Sequence, residues 1–114
     1  MARPPRTPKT GAVPRATRSR ALLRARVLDV VNRWDPEGLL AVEAPVDEYE
    51  PEARSFAALL DQGVTITPEI ARQVWEEWFG PDSGFVRLST REVWAEFAAE
   101  LNRAAAAIEG SAQV

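Results

Sequence analysis

The chain has 114 residues, 46% of them hydrophobic, and its four tryptophans and four phenylalanines supply enough apolar material for one globular domain. It contains neither cysteine nor histidine, so disulfides, thiol nucleophiles, imidazole bases and the usual zinc sites are excluded. The net charge of −3 combines two opposed regions: the first 26 residues carry eight basic side chains and no acid, and the remainder carries six arginines and 17 acids.

Residues 1–19 are predicted to form a disordered basic tail. Basic and proline residues dominate this stretch, which has no acid and no aromatic residue, so it offers little apolar surface to offset the entropy of ordering. A basic tail can bind phosphate groups, and nucleic acid or the ribosome is therefore one candidate partner. The alternatives are a solvated arm and an arm that folds back on the acidic remainder of the chain.

The first helix is predicted over residues 20–34, with an apolar face at steps of three and four: Leu23, Val27, Val30, Val31 and Trp34. Trp34 ends this face and is expected to be a structural anchor of the core. The next four residues have the preferences of a type I turn, and Pro36 disfavours helical conformation in the residue before it. The helix is therefore expected to end near Trp34, where the chain reverses.

Residues 34–53, the acidic central loop, contain no lysine or arginine and seven acids: Asp35, Glu37, Glu43, Asp47, Glu48, Glu50 and Glu52. The loop is expected to turn these acids outward and to pack against the body the apolar residues interleaved with them, Leu39, Leu40, Val42, Val46 and Tyr49. Tyrosine is enriched among interface hot spots, which makes Tyr49 the predicted anchor of a site for a basic protein partner, with Asp47, Glu48 and Glu50 as its charged rim. The alternative is an acidic loop that serves only solubility.

Three more helices are predicted, over residues 51–62, 68–79 and 89–110. Thr67 is a favourable N-cap for the second of these, and Ser89 with Glu92 matches a capping box at the start of the third. The residues expected to face inward are Phe56, Leu59, Leu60, Ile70, Val74, Trp75, Trp78, Val93, Trp94, Phe97, Leu101 and Ile108. Residues 85–88 are interpreted as an extended linker whose Phe85 and Leu88 anchor to the core.

The predicted fold is all-α, a small bundle of about four helices over residues 20–110, with residues 111–114 as a short C-terminal tail. No run of about 18 apolar residues could span a membrane, and the start lacks the apolar stretch of a secretory signal, so a cytoplasmic location is expected.

Two pairs of neighbouring carboxylates, Asp47/Glu48 and Glu76/Glu77, are candidates for an acid–base site or a cation site. Adjacent residues on a helix point to different sides, and the loop lacks the spaced ligands and central glycine of an EF-hand. We therefore predict no catalytic, cofactor-binding or metal site, and no small-molecule substrate.

Four short segments occur in this order: Trp34-Asp35-Pro36, Gly38-Leu39-Leu40, Asp47-Glu48-Tyr49-Glu50-Pro51 and Trp78-Phe79-Gly80. This arrangement resembles the YugE-like family of small bacterial helical proteins over residues 25 to about 80. The resemblance implies an all-helical cytoplasmic fold and supplies no activity. The leading functional prediction is thus a non-enzymatic interaction or regulatory module, by analogy immunity-like, that binds a basic partner through the acidic central loop. The alternative is a nucleic-acid or ribosome-associated protein that uses the basic tail.

Overall fold

The structure is a computed structural model that describes residues 15–44 and 47–112. These residues form five α-helices and one 3-10 turn: α1 (Arg15–Trp34), the 3-10 turn (Leu40–Val42), α2 (Glu50–Asp61), α3 (Pro68–Phe79), α4 (Gly84–Leu88) and α5 (Arg91–Ala112). No strand occurs in this part of the chain. The predicted all-α fold is therefore confirmed, with four long helices and one short one.

Helix α1 packs against both α2 and α5, and α3 packs against α5 and α2. Phe97 of α5 lies at the centre of the core, with ring centroids of Trp34 at 5.2 Å, Phe56 at 5.7 Å and Trp75 at 5.9 Å. Aromatic pairs at such spacings add to the area they bury. Trp34 is only half-buried, but its contact with Phe97 and its indole N–H, which donates to Glu100 at 2.9 Å, agree with the anchoring role expected of it.

The bounds of α1 and α5 differ from the prediction. Helix α1 begins at Arg15, so residues 15–19 belong to the helix and not to the predicted tail; arginine and alanine, common in this stretch, have high helix propensity. Helix α5 continues to Ala112 although Gly110 was expected to end it, because one glycine in a terminal turn costs only about 1 kcal/mol. Residues 1–14, 113 and 114, and the disorder predicted for the tail, lie outside the described residues.

The predicted extended linker at residues 85–88 is wrong, because this segment forms α4. Ser83 is its N-cap, and the Ser83 hydroxyl accepts a hydrogen bond from the Val86 amide at 3.2 Å, which supports one helical turn. Leu88 is 77% exposed and does not anchor to the core, whereas Val86 is buried.

The N-cap of α5 is one residue later than predicted. Ser89 ends α4, since its amide donates to the Phe85 carbonyl at 3.1 Å, and the Thr90 hydroxyl instead accepts from the Val93 amide at 3.2 Å. In contrast, α3 has the predicted bounds, and the Thr67 hydroxyl caps it by accepting from the Ile70 amide at 3.1 Å.

Candidate docking site

The acidic central loop is folded around the carboxylate of Asp35. This carboxylate accepts hydrogen bonds from the backbone amides of Leu40 at 3.0 Å and Ala41 at 3.1 Å, and from the hydroxyl of Tyr49 at 2.8 Å. Asp35 has a positive φ of 44°, a conformation that aspartate tolerates better than most residues. Although burial alone raises the pKa of Asp35, the hydrogen bonds from these partners lower it overall.

Tyr49 is fully buried, as expected of an apolar loop residue that packs against the body, and this burial contradicts its predicted role as a partner-binding anchor. Its hydroxyl accepts hydrogen bonds from the amides of Glu37 at 3.0 Å and Leu39 at 3.3 Å, while its ring packs against Trp75 at 5.8 Å and Phe79 at 6.3 Å. Burial, followed by the hydrogen bond to the Asp35 carboxylate, raises the pKa of Tyr49 to about 12. Tyr49 therefore holds the loop to the core and is not available to a partner.

Glu37 also turns inward. Its carboxylate accepts a hydrogen bond from the indole N–H of Trp75 at 2.7 Å, which ties the loop to α3. A hydrogen bond to a charged acceptor is among the stronger ones in proteins. Some acids of this loop thus stabilise the fold by accepting internal hydrogen bonds, a role that the sequence pattern did not indicate.

Glu52 is the third acid that is not turned outward. It is only 4% exposed, and its Oε1 atom has no hydrogen-bond partner within the described part of the chain. Burial raises the pKa of Glu52; a hydrogen bond from its own backbone amide opposes this effect, and the charge of Glu48 adds to it. The ionised form is therefore less favourable in the folded state than in the unfolded chain.

We expect the substitution Glu52→Gln to stabilise the domain by about 1 kcal/mol at neutral pH, because it removes a buried charge and keeps the side-chain shape. Because the folded-state pKa of Glu52 is raised, protonated Glu52 stabilises the folded state. This contribution to the free energy of unfolding is complete below the ordinary pKa of 4.5 and is lost as the pH rises above it. The advantage of Glu52→Gln should thus grow between about pH 4 and pH 7 in urea unfolding. Glu77→Gln, at an exposed glutamate of α3, is the control, and an advantage of Glu52→Gln that is equal at both pH values would contradict the prediction.

The exposed acids of the loop are fewer than predicted. We call Glu43, Asp47 and Glu48 the acidic lip; all three side chains are exposed, and none of them forms an ion pair with another described residue. Val42, next to Glu43, is 73% exposed, so the expectation that it packs against the body is wrong. Val46 lies outside the described residues. Glu50, from the predicted rim, is only partly exposed and bonds Arg54 at 2.7 Å. Asp47 and Glu48 therefore keep the surface position expected of partner-binding residues.

A groove of about 640 Å³ runs between the first half of α1 and the outer side of α2. We call it the α1–α2 groove. Its apolar lining is Leu23, Pro51, Ala57, Ala58 and Trp78, and its polar lining is Arg20, Arg24, Glu50, Arg54, Ser55 and Asp61. This surface was not predicted from the sequence, although Arg20 and Arg24, one turn apart and next to Leu23, were a signal of an apolar floor with a basic edge.

Trp78 stands at the edge of this groove and not in the core, where the sequence pattern had placed it. It is 49% exposed, whereas Trp75, one turn earlier on α3, is fully buried. The Trp78 indole N–H donates to the hydroxyl of Ser55 at 3.0 Å, which holds the ring against α2. The ring is therefore oriented while much of its surface stays open to solvent.

Among the described residues, no group of three or more acidic, histidine or cysteine side chains is placed to hold a metal ion. None of the described helices has both the length and the apolar character needed to cross a membrane. Comparisons of the chain with known protein families, with curated proteins and with solved structures give no match. The resemblance to the YugE-like family thus stays a prediction.

Proposed function

We propose that this protein is a non-enzymatic protein-interaction module, in the cytoplasm as the sequence predicts, and that the α1–α2 groove is its docking surface. The observation that carries the proposal is the half-exposed Trp78 beside the open, largely apolar floor of this groove. Tryptophan is one of the residues most enriched among interface hot spots, particularly where it borders a pocket that excludes water.

The walls of the groove are rigid, which favours docking. Leu23 and Ala57 are buried members of the core, so the two helices that carry the groove are held in place before a partner arrives. A preorganised surface loses little conformational entropy on binding. The alanines of the floor also permit close approach of a partner backbone.

The partner is expected to be basic only where it faces the acidic lip. Glu48 of the acidic lip lies two residues before Glu50, which lines the groove, so Asp47 and Glu48 are positioned to attract a basic surface of the partner beside the groove. Complementary charge at the edge of an interface mainly increases the rate of association. Tyr49, being buried, supports this role only by shaping the loop.

One observation favours the alternative function. The exposed residues Arg18, Arg20, Arg24 and Arg26 of α1 extend the basic character of residues 1–14 onto the folded body. Basic residues clustered along one helix are a feature of phosphate-binding surfaces, although Arg26 lies on a different side of α1 from Arg20 and Arg24. Nucleic-acid binding is therefore a second candidate function, for which the arginines, and not the Trp78 ring, would be essential.

Photo-crosslinking in the native cell tests both candidates. A photoreactive residue in place of Ala58, on the floor of the groove, should capture a protein, whereas the same residue in place of Ala106, an exposed alanine of α5, should not. Adding Trp78→Ala should weaken capture at least tenfold, as expected for a hot spot worth about 2 kcal/mol. An Asp47→Lys/Glu48→Lys variant shows whether the lip contributes.

Three outcomes would contradict the groove as a protein-docking surface: equal capture at both positions, no capture at Ala58, or capture that is insensitive to Trp78→Ala. Crosslinks to nucleic acid that disappear in high salt would favour the second candidate instead. Circular dichroism of each variant confirms that a loss of capture does not reflect unfolding.

A further inference from the structure

We propose that the α1–α2 groove binds the acidic lip of a second copy of this chain, so that the protein forms a two-fold dimer. This inference rests on the groove being the docking surface proposed above, and it names the partner. Exposed apolar patches rimmed by polar residues commonly mark surfaces that bind another protein. The free edge of the groove is basic and the lip is acidic, and each has apolar side chains beside its charges. This complementarity indicates that the lip of a second copy occupies the groove.

The edge of the groove is basic at the arginines that have no acidic partner within the described part of the chain. Arg54 bonds Glu50, but Arg20 and Arg24 are exposed and form no ion pair with any described side chain. Asp61 is the remaining acid of the lining. The free edge therefore attracts a segment that carries more than one carboxylate.

The lip supplies such a segment. Glu43, Asp47 and Glu48 are exposed, and no lysine or arginine occurs between residues 34 and 53 to neutralise them. Val42, 73% exposed beside Glu43, adds an apolar side chain that fits a floor made of Leu23 and alanines. The lip and the neighbouring Val42 thus combine acids with one exposed apolar side chain. The groove combines an apolar floor with exposed arginines, so the two surfaces are complementary.

The turn that carries Val42 and Glu43 is held in a fixed shape. The Asp35 carboxylate binds the amides of Leu40 and Ala41, and Glu43 has a positive φ of 67°, so the turn that carries Val42 is closed in the single chain. Ordering costs on association are correspondingly small.

The position of the two surfaces favours a closed dimer. Glu50 lines the groove and lies two residues after Glu48 of the lip, so the two complementary surfaces adjoin. A two-fold axis near this residue would place each lip over the other copy's groove, and every contact would occur twice. Two-fold dimers with such self-complementary surfaces are the commonest soluble oligomers. Because the net charge is only −3, general repulsion between copies is weak.

Sedimentation equilibrium of the full chain tests the dimer. We expect a dimer with a dissociation constant in the micromolar range at low salt, as suits a standard or small interface, and about tenfold weaker association in about 0.5 M NaCl, where screening is strong. Two charge-reversed variants provide the decisive comparison: Arg20→Glu/Arg24→Glu changes the groove, and Asp47→Arg/Glu48→Arg changes the lip.

Each variant alone should be monomeric, because the groove and the lip then carry the same sign of charge. An equimolar mixture should form a heterodimer as stable as the wild-type dimer to within about tenfold, since both lip–groove contacts are complementary again. Arg87 and Arg103 are exposed arginines outside the groove and the lip. The Arg87→Glu/Arg103→Glu variant changes the net charge by the same amount as Arg20→Glu/Arg24→Glu and should leave the dimer intact.

A wild-type chain that stays monomeric at about 200 μM would overturn the dimer, and the groove would still be tested by crosslinking to other proteins. A dimer that persists in both variants would show that the contact lies elsewhere. Assemblies larger than two would overturn the two-fold arrangement. Loss of the dimer in an Arg3→Gln/Arg6→Gln/Lys9→Gln chain would show that the basic tail, and not the groove, covers the lip.

Discussion

Replacement of Trp75 by alanine should destabilise the domain by about 3–5 kcal/mol, the usual cost of removing a buried aromatic side chain. Trp75 is fully buried, with the ring of Phe79 stacked at 5.0 Å and those of Phe85 and Tyr49 at 5.7 and 5.8 Å. Small domains have a total stability of about 5–15 kcal/mol, so the variant should be close to unfolded at 37 °C. Urea unfolding followed by far-ultraviolet circular dichroism measures the change.

Two further variants separate the contributions of the ring. Trp78→Ala removes the same side chain one turn along α3, but from a half-exposed position, and should cost about 1 kcal/mol. Trp75→Phe keeps most of the buried volume but removes the N–H that Glu37 accepts, and should cost about 1–3 kcal/mol because a partly buried carboxylate loses its donor. A Trp75→Ala variant no less stable than Trp78→Ala would show that Trp75 is not a core residue.

The contrast between Trp75 and Trp78 shows what the sequence could predict. The spacing of apolar residues on α3, together with Thr67 and Pro68 at its start, was sufficient for a helix with the observed bounds, because these signals are local. Which tryptophan faces inward depends on where Phe97 of α5 packs, more than 20 residues further along. On the predicted apolar face Trp75 is the off-centre member and Trp78 lies nearer the middle, so periodicity alone favoured the wrong tryptophan as the core residue.

The acidic central loop shows the same limit more strongly. Composition identified an unusual concentration of carboxylates but did not reveal which of them accept internal hydrogen bonds. Asp35 meets Tyr49 14 residues later, and Glu37 meets Trp75 38 residues later. These are tertiary contacts that no local pattern encodes. The sequence therefore predicted the exposed Asp47 and Glu48 and the packing of Tyr49 against the body, whereas the role of Tyr49 as a partner-binding anchor conflicts with its burial.

Tyr49→Phe should destabilise the domain by about 2–3 kcal/mol even though the ring is retained. The hydroxyl of Tyr49 donates to Asp35 and accepts from the amides of Glu37 and Leu39, and all three groups would lose this partner within a partly buried loop. Leaving buried polar groups unpaired costs more than the net value of the hydrogen bonds themselves. Urea unfolding at neutral pH measures this loss.

The difference between wild type and Tyr49→Phe should depend on pH in one direction. The folded-state pKa of Tyr49 is raised from 10.0 to about 12, so the stability that its proton contributes is full below about pH 10 and is lost as the pH rises toward about 12. The gap between the two proteins should therefore narrow with alkaline pH. The pKa of Asp35 is lowered instead, so its contribution is lost only as the pH falls below its ordinary 3.8.

A double-mutant cycle with Asp35→Asn tests whether the two side chains act together. Asparagine tolerates the positive φ at this position and keeps the size of the side chain, while it removes the charge that the Tyr49 hydroxyl binds. We expect a coupling free energy of about 1 kcal/mol, since Tyr49→Phe removes this hydrogen bond and Asp35→Asn removes the charge that strengthens it. Additivity within about 0.3 kcal/mol would mean that the two residues stabilise the loop independently, and that the Asp35 carboxylate acts through the amides of Leu40 and Ala41 alone.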